Sequence, residues 1–285
     1  MPESLAAQVR TLAARFAAVG IPDPETDAEM LTAHVLGIGR GELQAAAIRG
    51  DMLGDDDAES LDALARRREQ REPLQHLTGT APFRHLQLAV GPGVFVPRPE
   101  TEVVVQFAID ALLAVPEPAP VGVDLGTGSG AIALAMAAEV PHARIFAVER
   151  SDDAYRWAQK NTADAENLTL VQGDLATAFE ELTGQASVVI SNPPYVPDDA
   201  IPRDPEVRLH DPAAALYGGR DGLDVVRLIS TRAQELLRSG GVLVLEHGEA
   251  QGADIRGILE ADGWLAAATH QDLTHRDRAT TALRP

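Results

Sequence analysis

The sequence predicts an α/β protein, a parallel sheet covered by helices on both faces, with a small all-helical domain in front of it. Three observations carry that expectation. From Val121 onward, short apolar runs alternate with helical stretches, the pattern parallel strands need because each must be followed by a crossover. Residues 3–72 show helical spacing and no strand signal. A glycine-rich turn, "LGTGSG", ends the first strand of the alternating region and opens a helix.

In the leading region, Leu5, Val9, Leu12 and Phe16 recur at helical spacing. "DPETDAEMLTAHVLG" follows, with Asp23 placed to cap, Pro24 at the first helical position and Gly37 as a stop. A short helical segment is expected from Glu42 to Ile48 and a longer one from Asp57 to Arg71. The basic run "ARRREQR" at 65–71 reads as a solvated helix face. Residues 1–73 are therefore expected to form a helical N-terminal domain, and 74–98 a β-hairpin linker in which Phe83, Leu86, Leu88 and Val90 lie between glycine and proline signals. Residues 99–285 form the sheet domain. A helix runs from Glu100 to Leu113, and strands are expected at 121–125, 144–149, 168–172, 187–191 and 241–247. Helices at 130–139, 152–163, 222–237 and 250–260 separate most of them, and the tail reads as two further strands joined by a polar loop.

Composition narrows the function. The 285 residues suit two domains. Apolar residues make up 45% and the formal net charge is −19. An acidic body repels a phosphate backbone, so direct nucleic-acid binding is disfavoured. There is no cysteine, which excludes disulfides, cysteine metal sites and cysteine nucleophiles. The eight histidines are scattered without a metal-binding pair. No apolar run is long enough for a membrane span and the first residues lack a signal-peptide shape, so a cytoplasmic protein without metal or membrane is expected.

The glycines are spaced GxGxG, without the lysine of a phosphate-binding loop. Glycine lets the backbone turn sharply and approach a ligand with no Cβ in the way. Asp124 just before the loop would repel a pyrophosphate but suit a cationic or hydroxyl-bearing ligand. Glu149 ends the next strand and could accept ribose hydroxyls. Asp174 follows the third strand, where it could meet an adenine amino group. Any one of these is an ordinary strand-end carboxylate; three at successive strand ends beside a glycine loop form a pattern.

That pattern resembles the S-adenosylmethionine-dependent methyltransferases, whose ligand has ribose, adenine and a sulfonium but no phosphate. The resemblance implies a seven-stranded Rossmann-like methyltransferase sheet with its last strand antiparallel, which the two tail strands match. It narrows at "SNPPYVP": an Asn-Pro-Pro-aromatic box after the fourth strand resembles that of methyltransferases acting on planar amide or amino nitrogens. Such a nitrogen is a poor nucleophile because its lone pair is delocalised. The Asn192 side-chain oxygen and the Pro193 carbonyl can accept from one NH₂ group, Pro194 adds stiffness without an N–H, and Tyr195 can stack on a flat group.

A flipped base and a protein glutamine both remain open on those grounds. "HLTGTAPFRHLQLAVGPGVFVPRPETE", "DPAAALYGGRDGLDVVRLI" and "EHGEAQG" resemble the bacterial peptide-chain release factor glutamine methyltransferases over essentially the whole chain. The resemblance implies methylation of the glutamine in the Gly-Gly-Gln tip of class I release factors, with S-adenosylhomocysteine as co-product. Alternatives are glutamine methylation of a ribosomal protein and amino-group methylation of a nucleic-acid base. By position, Asp124, Gly126, Thr127, Gly128, Gly130, Glu149, Asp174, Leu175 and Asn192 would hold the cofactor. Asn192, Pro193 and Tyr195 would be catalytic, with Pro194, Phe83, Arg98, Pro99 and Glu100 also bordering the substrate. The helical domain would dock the protein substrate, and the connection 196–220 would wall its entrance. The chain departs from the family where Phe83-Arg84-His85 replaces an aromatic-Tyr-Gly sequence and where Glu149 stands for the usual Asp.

Overall fold

The computed structural model describes residues 3–285 and divides into two compact units. One comprises the chain up to Thr80 together with Arg203–His210; the other comprises Ala81–Pro202 and Asp211–Pro285.

The first unit contains helices α1 (Leu5–Ala18), α2 (Pro24–Leu36), α3 (Arg40–Arg49), α4 (Asp55–Glu69) and α5 (Leu74–Thr78). Their apolar faces meet in a core that includes Leu12, Phe16, Leu31, Leu43 and Leu61. Pro24 opens α2 and Gly37 closes it in the left-handed conformation, while Asp23 occupies the cap position without a side-chain cap bond. Helix α4 carries Asp55, Asp56 and Asp57 in its first turn and Arg66, Arg67 and Arg68 in its last, each sign at the end of the helix dipole that favours it.

The basic run is not uniformly solvated. Arg66 and Arg67 are exposed, but the Arg68 side chain is only 4% exposed. Its position in the heptad of α4 points it inward beside Leu61 and Ala65. There its Nε donates to Asp27 at 2.7 Å, its Nη2 to Glu206 at 2.7 Å and its Nη1 to the carbonyl of Glu72 at 3.0 Å. Arg71 adds a second ion pair to Glu206 at 3.1 Å. A buried guanidinium is tolerated because its donors are matched by carboxylates and a carbonyl.

The second unit begins with a hairpin, β1 (Thr80–Phe83) and β2 (Leu86–Ala89), followed by α6 (Pro99–Leu113). The βα alternation then runs β3 (Val121–Leu125), α7 (Ala131–Glu139), β4 (Arg144–Glu149), α8 (Asp152–Thr162), β5 (Leu168–Gln172) and β6 (Ala186–Ser191). After β6 the connection expected as loop contains two short helices, α9 (Pro205–His210) and α10 (Ala213–Leu216). The first of these lies within the segment that folds with the helical unit. Then come α11 (Asp224–Leu236), β7 (Leu237–Glu246), α12 (Gly252–Ala261), β8 (Leu265–Gln271) and β9 (Asp277–Leu283).

The seven strands of the main sheet are ordered β5-β4-β3-β6-β7-β9-β8, with β9 antiparallel to both its neighbours. Side chains alternate across the sheet. Val188, Ile190 and Val244 face a core built with Val104, Val105, Ala108 and Leu112 of α6. Val189, Leu243 and Leu245 face the opposite core with Val226, Ile229 and Ala233 of α11 and Ile255 and Leu259 of α12. This two-sided burial explains why the central strands read as continuous apolar runs.

Replacing Arg68 by alanine leaves the buried Asp27 with its charge uncompensated and removes one of the two cations paired with Glu206. We expect Arg68→Ala to cost about 3–5 kcal/mol of stability in urea unfolding followed by far-ultraviolet circular dichroism. A loss below about 1 kcal/mol would mean that this cation behaves as a solvated one.

Candidate active site

Every residue expected at the site lies in the second unit. The glycine loop occupies the carboxyl end of β3. Gly126, Gly128 and Gly130 all have positive φ (78°, 59° and 84°), a conformation side chains resist. A Cβ on Gly128 would meet nothing within 4 Å, so the loop presents open backbone there. A Cβ on Gly130 would press on Thr162 at 3.1 Å, so this glycine serves close packing of the loop on α8.

Glu149 reaches back from the end of β4. Its Oε2 accepts from the Gly128 N–H at 2.8 Å and its Oε1 from the Ser151 N–H at 2.8 Å. A carboxylate has about four acceptor positions, so each oxygen keeps capacity for a hydroxyl donor. Asp174 is exposed after β5, with Oδ1 accepting from the Ala176 N–H at 2.9 Å. Leu175 beside it is half-buried, and its Cδ2 would lie 3.9 Å from a Cβ on Gly126.

Two of the expected site residues are deeply buried. Asp124 is 0% exposed, and its Oδ1 has no hydrogen-bond partner. The Thr127 hydroxyl donates to its Oδ2 at 2.5 Å, and burial pushes its pKa up to about 7. Phe83 is also fully buried, in the core shared with Leu88, Val94 and Val104, because strand alternation points it inward with Ala81.

The Asn-Pro-Pro-Tyr box begins where β6 ends. The Ser191 hydroxyl donates to the Leu125 carbonyl at 2.5 Å, tying the box to the strand that carries the glycine loop. Asn192 and Tyr195 are partly exposed and Pro193 is buried. Burial, together with the charge of Glu246, pushes the Tyr195 phenol up to about 12, so it stays neutral. Arg98 pairs with Asp211 at 2.8 Å and lies over the Phe95 ring; Glu100 pairs with Arg276 at 2.9 Å.

The structure also reveals supports that the sequence reading missed. Val196 N–H donates to the Leu216 carbonyl at 2.8 Å, and Gly218 N–H donates to the Val196 carbonyl at 2.9 Å, so the chain beyond the box is clamped by the later segment. A Cβ on Gly218 would lie 2.3 Å from the Pro194 carbonyl oxygen, and one on Gly222 2.3 Å from that of Tyr195. The Gln251 amide donates to the same Tyr195 carbonyl at 2.9 Å. Asn161 of α8 exchanges hydrogen bonds with Ala89 at 2.7 and 2.9 Å and donates to the Ser129 carbonyl at 2.9 Å, joining the end of β2 to the glycine loop. The glycine pattern "YGGRDG" was the visible trace of the first of these supports; Asn161 left none.

A glycine loop without a phosphate-binding lysine and with a strand-end acid, on the strand next to the one that ends in the Asn-Pro-Pro-Tyr box, in a sheet whose last strand runs antiparallel, is the architecture of a methyltransferase. Residues 8–79 match the PrmC N-terminal domain, and residues 89–214 match the methyltransferase small domain. A release factor glutamine methyltransferase of Streptomyces coelicolor is 50% identical over 98% of this chain and 97% of its own. The chain belongs to the release factor glutamine methyltransferase family. A 4-amino-L-phenylalanine/4-methylamino-L-phenylalanine methyltransferase of Streptomyces pristinaespiralis is 38% identical over 90% of this chain and 87% of its own. The hMettl16 catalytic domain, in complex with the MAT2A 3′UTR hairpin 6, matches with a TM-score of 0.53 over 82% of this chain and 85% of that one, at 16% identity, a likeness of fold alone.

The backbone contact at Gly218 has a measurable consequence. A methyl group there must displace the Pro194 carbonyl by well over half an ångström. We expect Gly218→Ala to lower methyl-transfer turnover by about a hundredfold, with the circular dichroism spectrum retained. Unchanged turnover would show that this clamp does not set the position of the box.

Proposed function

We propose that this protein transfers a methyl group from S-adenosylmethionine to the side-chain amide nitrogen of the glutamine in the Gly-Gly-Gln motif of class I peptide-chain release factors. The observation that carries the reading is the full-length likeness to release factor glutamine methyltransferases, together with an Asn-Pro-Pro-Tyr box held at the edge of a methyltransferase sheet.

The residues present fit the cofactor. Gly128 presents backbone with open space where a Cβ would project, and Glu149 beside it keeps acceptor capacity for ribose hydroxyls. Asp174 is exposed at the next strand end, placed to accept from an adenine amino group. When bound, the cofactor supplies an electrophilic methyl group on a sulfonium. The protein's part is to present the nitrogen. Asn192 Oδ1 and the Pro193 carbonyl accept the two N–H groups of one amide, which fixes its plane and lets the nitrogen pyramidalise toward the methyl. Tyr195, neutral at physiological pH, covers the flat face of the amide. Alignment of this kind supplies up to about 7–11 kcal/mol in favourable cases. No strong base is needed, because the methylated nitrogen is acidic enough to lose its proton to a carbonyl oxygen or to water.

A second reading follows from the 4-amino-L-phenylalanine methyltransferase. An arylamine shares with an amide a planar NH₂ whose lone pair is delocalised, so the same acceptor pair would suit it. Labelled S-adenosylmethionine, offered with a class I release factor, the same factor with its tip glutamine changed to alanine, 4-amino-L-phenylalanine, or DNA, separates these readings. Label on the unaltered factor alone is expected. Label on the amino acid or on DNA, with none on the factor, would overturn the proposal.

A further inference from the structure

Strand alternation places an unassigned carboxylate beside the box. Residues 188 and 190 of β6 and 242 and 244 of β7 face α6. The register Ile190↔Val244 and Ser191↔Leu245 makes Asn192 and Glu246 the next pair, on that same face. The helix covering it contributes Thr101 from its first turn, one turn before Val104 and Val105. Glu246 is 2% exposed and Thr101 4% exposed. Thr101 and Asn192 are among the neighbouring groups that hold the pKa of Glu246 down against burial, and its Oε2 has no hydrogen-bond partner. The Asn192 Nδ2 also points to Thr101 Oγ1 at 3.5 Å.

We propose that Glu246, with Thr101, is a positioning residue that fixes the side-chain amide of Asn192, holding Nδ2 toward the protein and Oδ1 toward the substrate nitrogen. The inference rests on the reading of Asn192 as the residue that grips the substrate NH₂. An asparagine side chain is nearly symmetric in shape but opposite in chemistry at its two ends. Turned the other way, it would offer an NH₂ to an NH₂, and the grip would become a repulsion. A carboxylate can only accept, so it selects the orientation in which Nδ2 faces it. A buried acceptor is the stronger for having little water to compete with it.

The groups facing Glu246 are Glu100 and Thr101 from α6, Asn192 and Tyr195 from the box, and Arg278 from β9. Burial and the charge of Glu100 raise its pKa, against the lowering effects of Thr101, Arg278 and Asn192, to a net value of about 7. Below that pH the carboxyl carries a proton and can donate to Asn192 Oδ1, drawing it away from substrate. The orientation, and turnover with it, is therefore present above about pH 7 and fades as pH falls through it.

The chain has three asparagines, Asn161, Asn167 and Asn192, so a sample labelled with ¹⁵N-asparagine gives few side-chain signals. The Asn192 NH₂ signal is expected to titrate with a midpoint near pH 7 in the wild type and to stay fixed in Glu246→Gln. With a release factor as substrate, Glu246→Gln is expected to lose about tenfold to a hundredfold in kcat with KM unchanged, and to lose the acid limb of its pH profile. Should that variant fail to fold, Thr101→Val is expected to show the same loss in kcat and Thr101→Ser to restore it. A wild-type NH₂ signal that ignores pH, or a Glu246→Gln enzyme with wild-type kcat and acid limb, would overturn the inference. The titration uses no substrate, so it decides the Glu246–Asn192 coupling even if release factor proves not to be methylated.

Discussion

The parallel register of β3, β4, β6 and β7 is the constraint on which the site depends. Asp124 pairs with Ala147 on one side and Ile190 on the other, and Ser191 pairs with Leu245. Because these strands end along one edge, the glycine loop, Glu149, Asn192 and Glu246 arrive together there. A slip of one residue between β6 and β7 would turn Asn192 to the α11 face and separate it from Thr101. The strands are held in place by burial on both faces, so the precision of the edge derives from the cores beneath it.

In the proposed reading, the edge works by restricting direction rather than by supplying reactive groups. Asp124 is buried inside the fold, where it accepts from Thr127. Ser191 ties the box to β3, and Gly218 and Gly222 leave room for the box's carbonyls where any side chain would collide. In the proposed reading, Asn192 Oδ1 and the Pro193 carbonyl are the acceptors for a planar NH₂. Such a nucleophile needs alignment more than it needs a base.

Much of this was legible in the sequence. Strand positions from Val121 onward follow from apolar runs whose ends are marked by Gly126, Glu149 and Asn192. The helical unit follows from spacing and from the stop at Gly37. Other features were not local enough to read. Arg68 sits among exposed arginines in sequence, and only the partners Asp27 and Glu206, distant along the chain, make it a buried cation. Phe83 resembles a substrate-facing aromatic until alternation in a four-residue strand sends it into the core. Glu246 is one more acid in an acidic chain until the β6–β7 register sets it beside Asn192. Helix α9 was hidden by the prolines around it, and it folds with helices that precede it in the chain by more than a hundred residues.

The account stands on two oxygen acceptors gripping one reluctant nitrogen, and Asn192→Ala tests it most directly. Calorimetry should show S-adenosylmethionine bound by the variant with wild-type affinity, while single-turnover methylation of release factor falls by more than about a hundredfold. A variant that binds cofactor and still methylates within a few-fold of the wild-type rate would contradict the account.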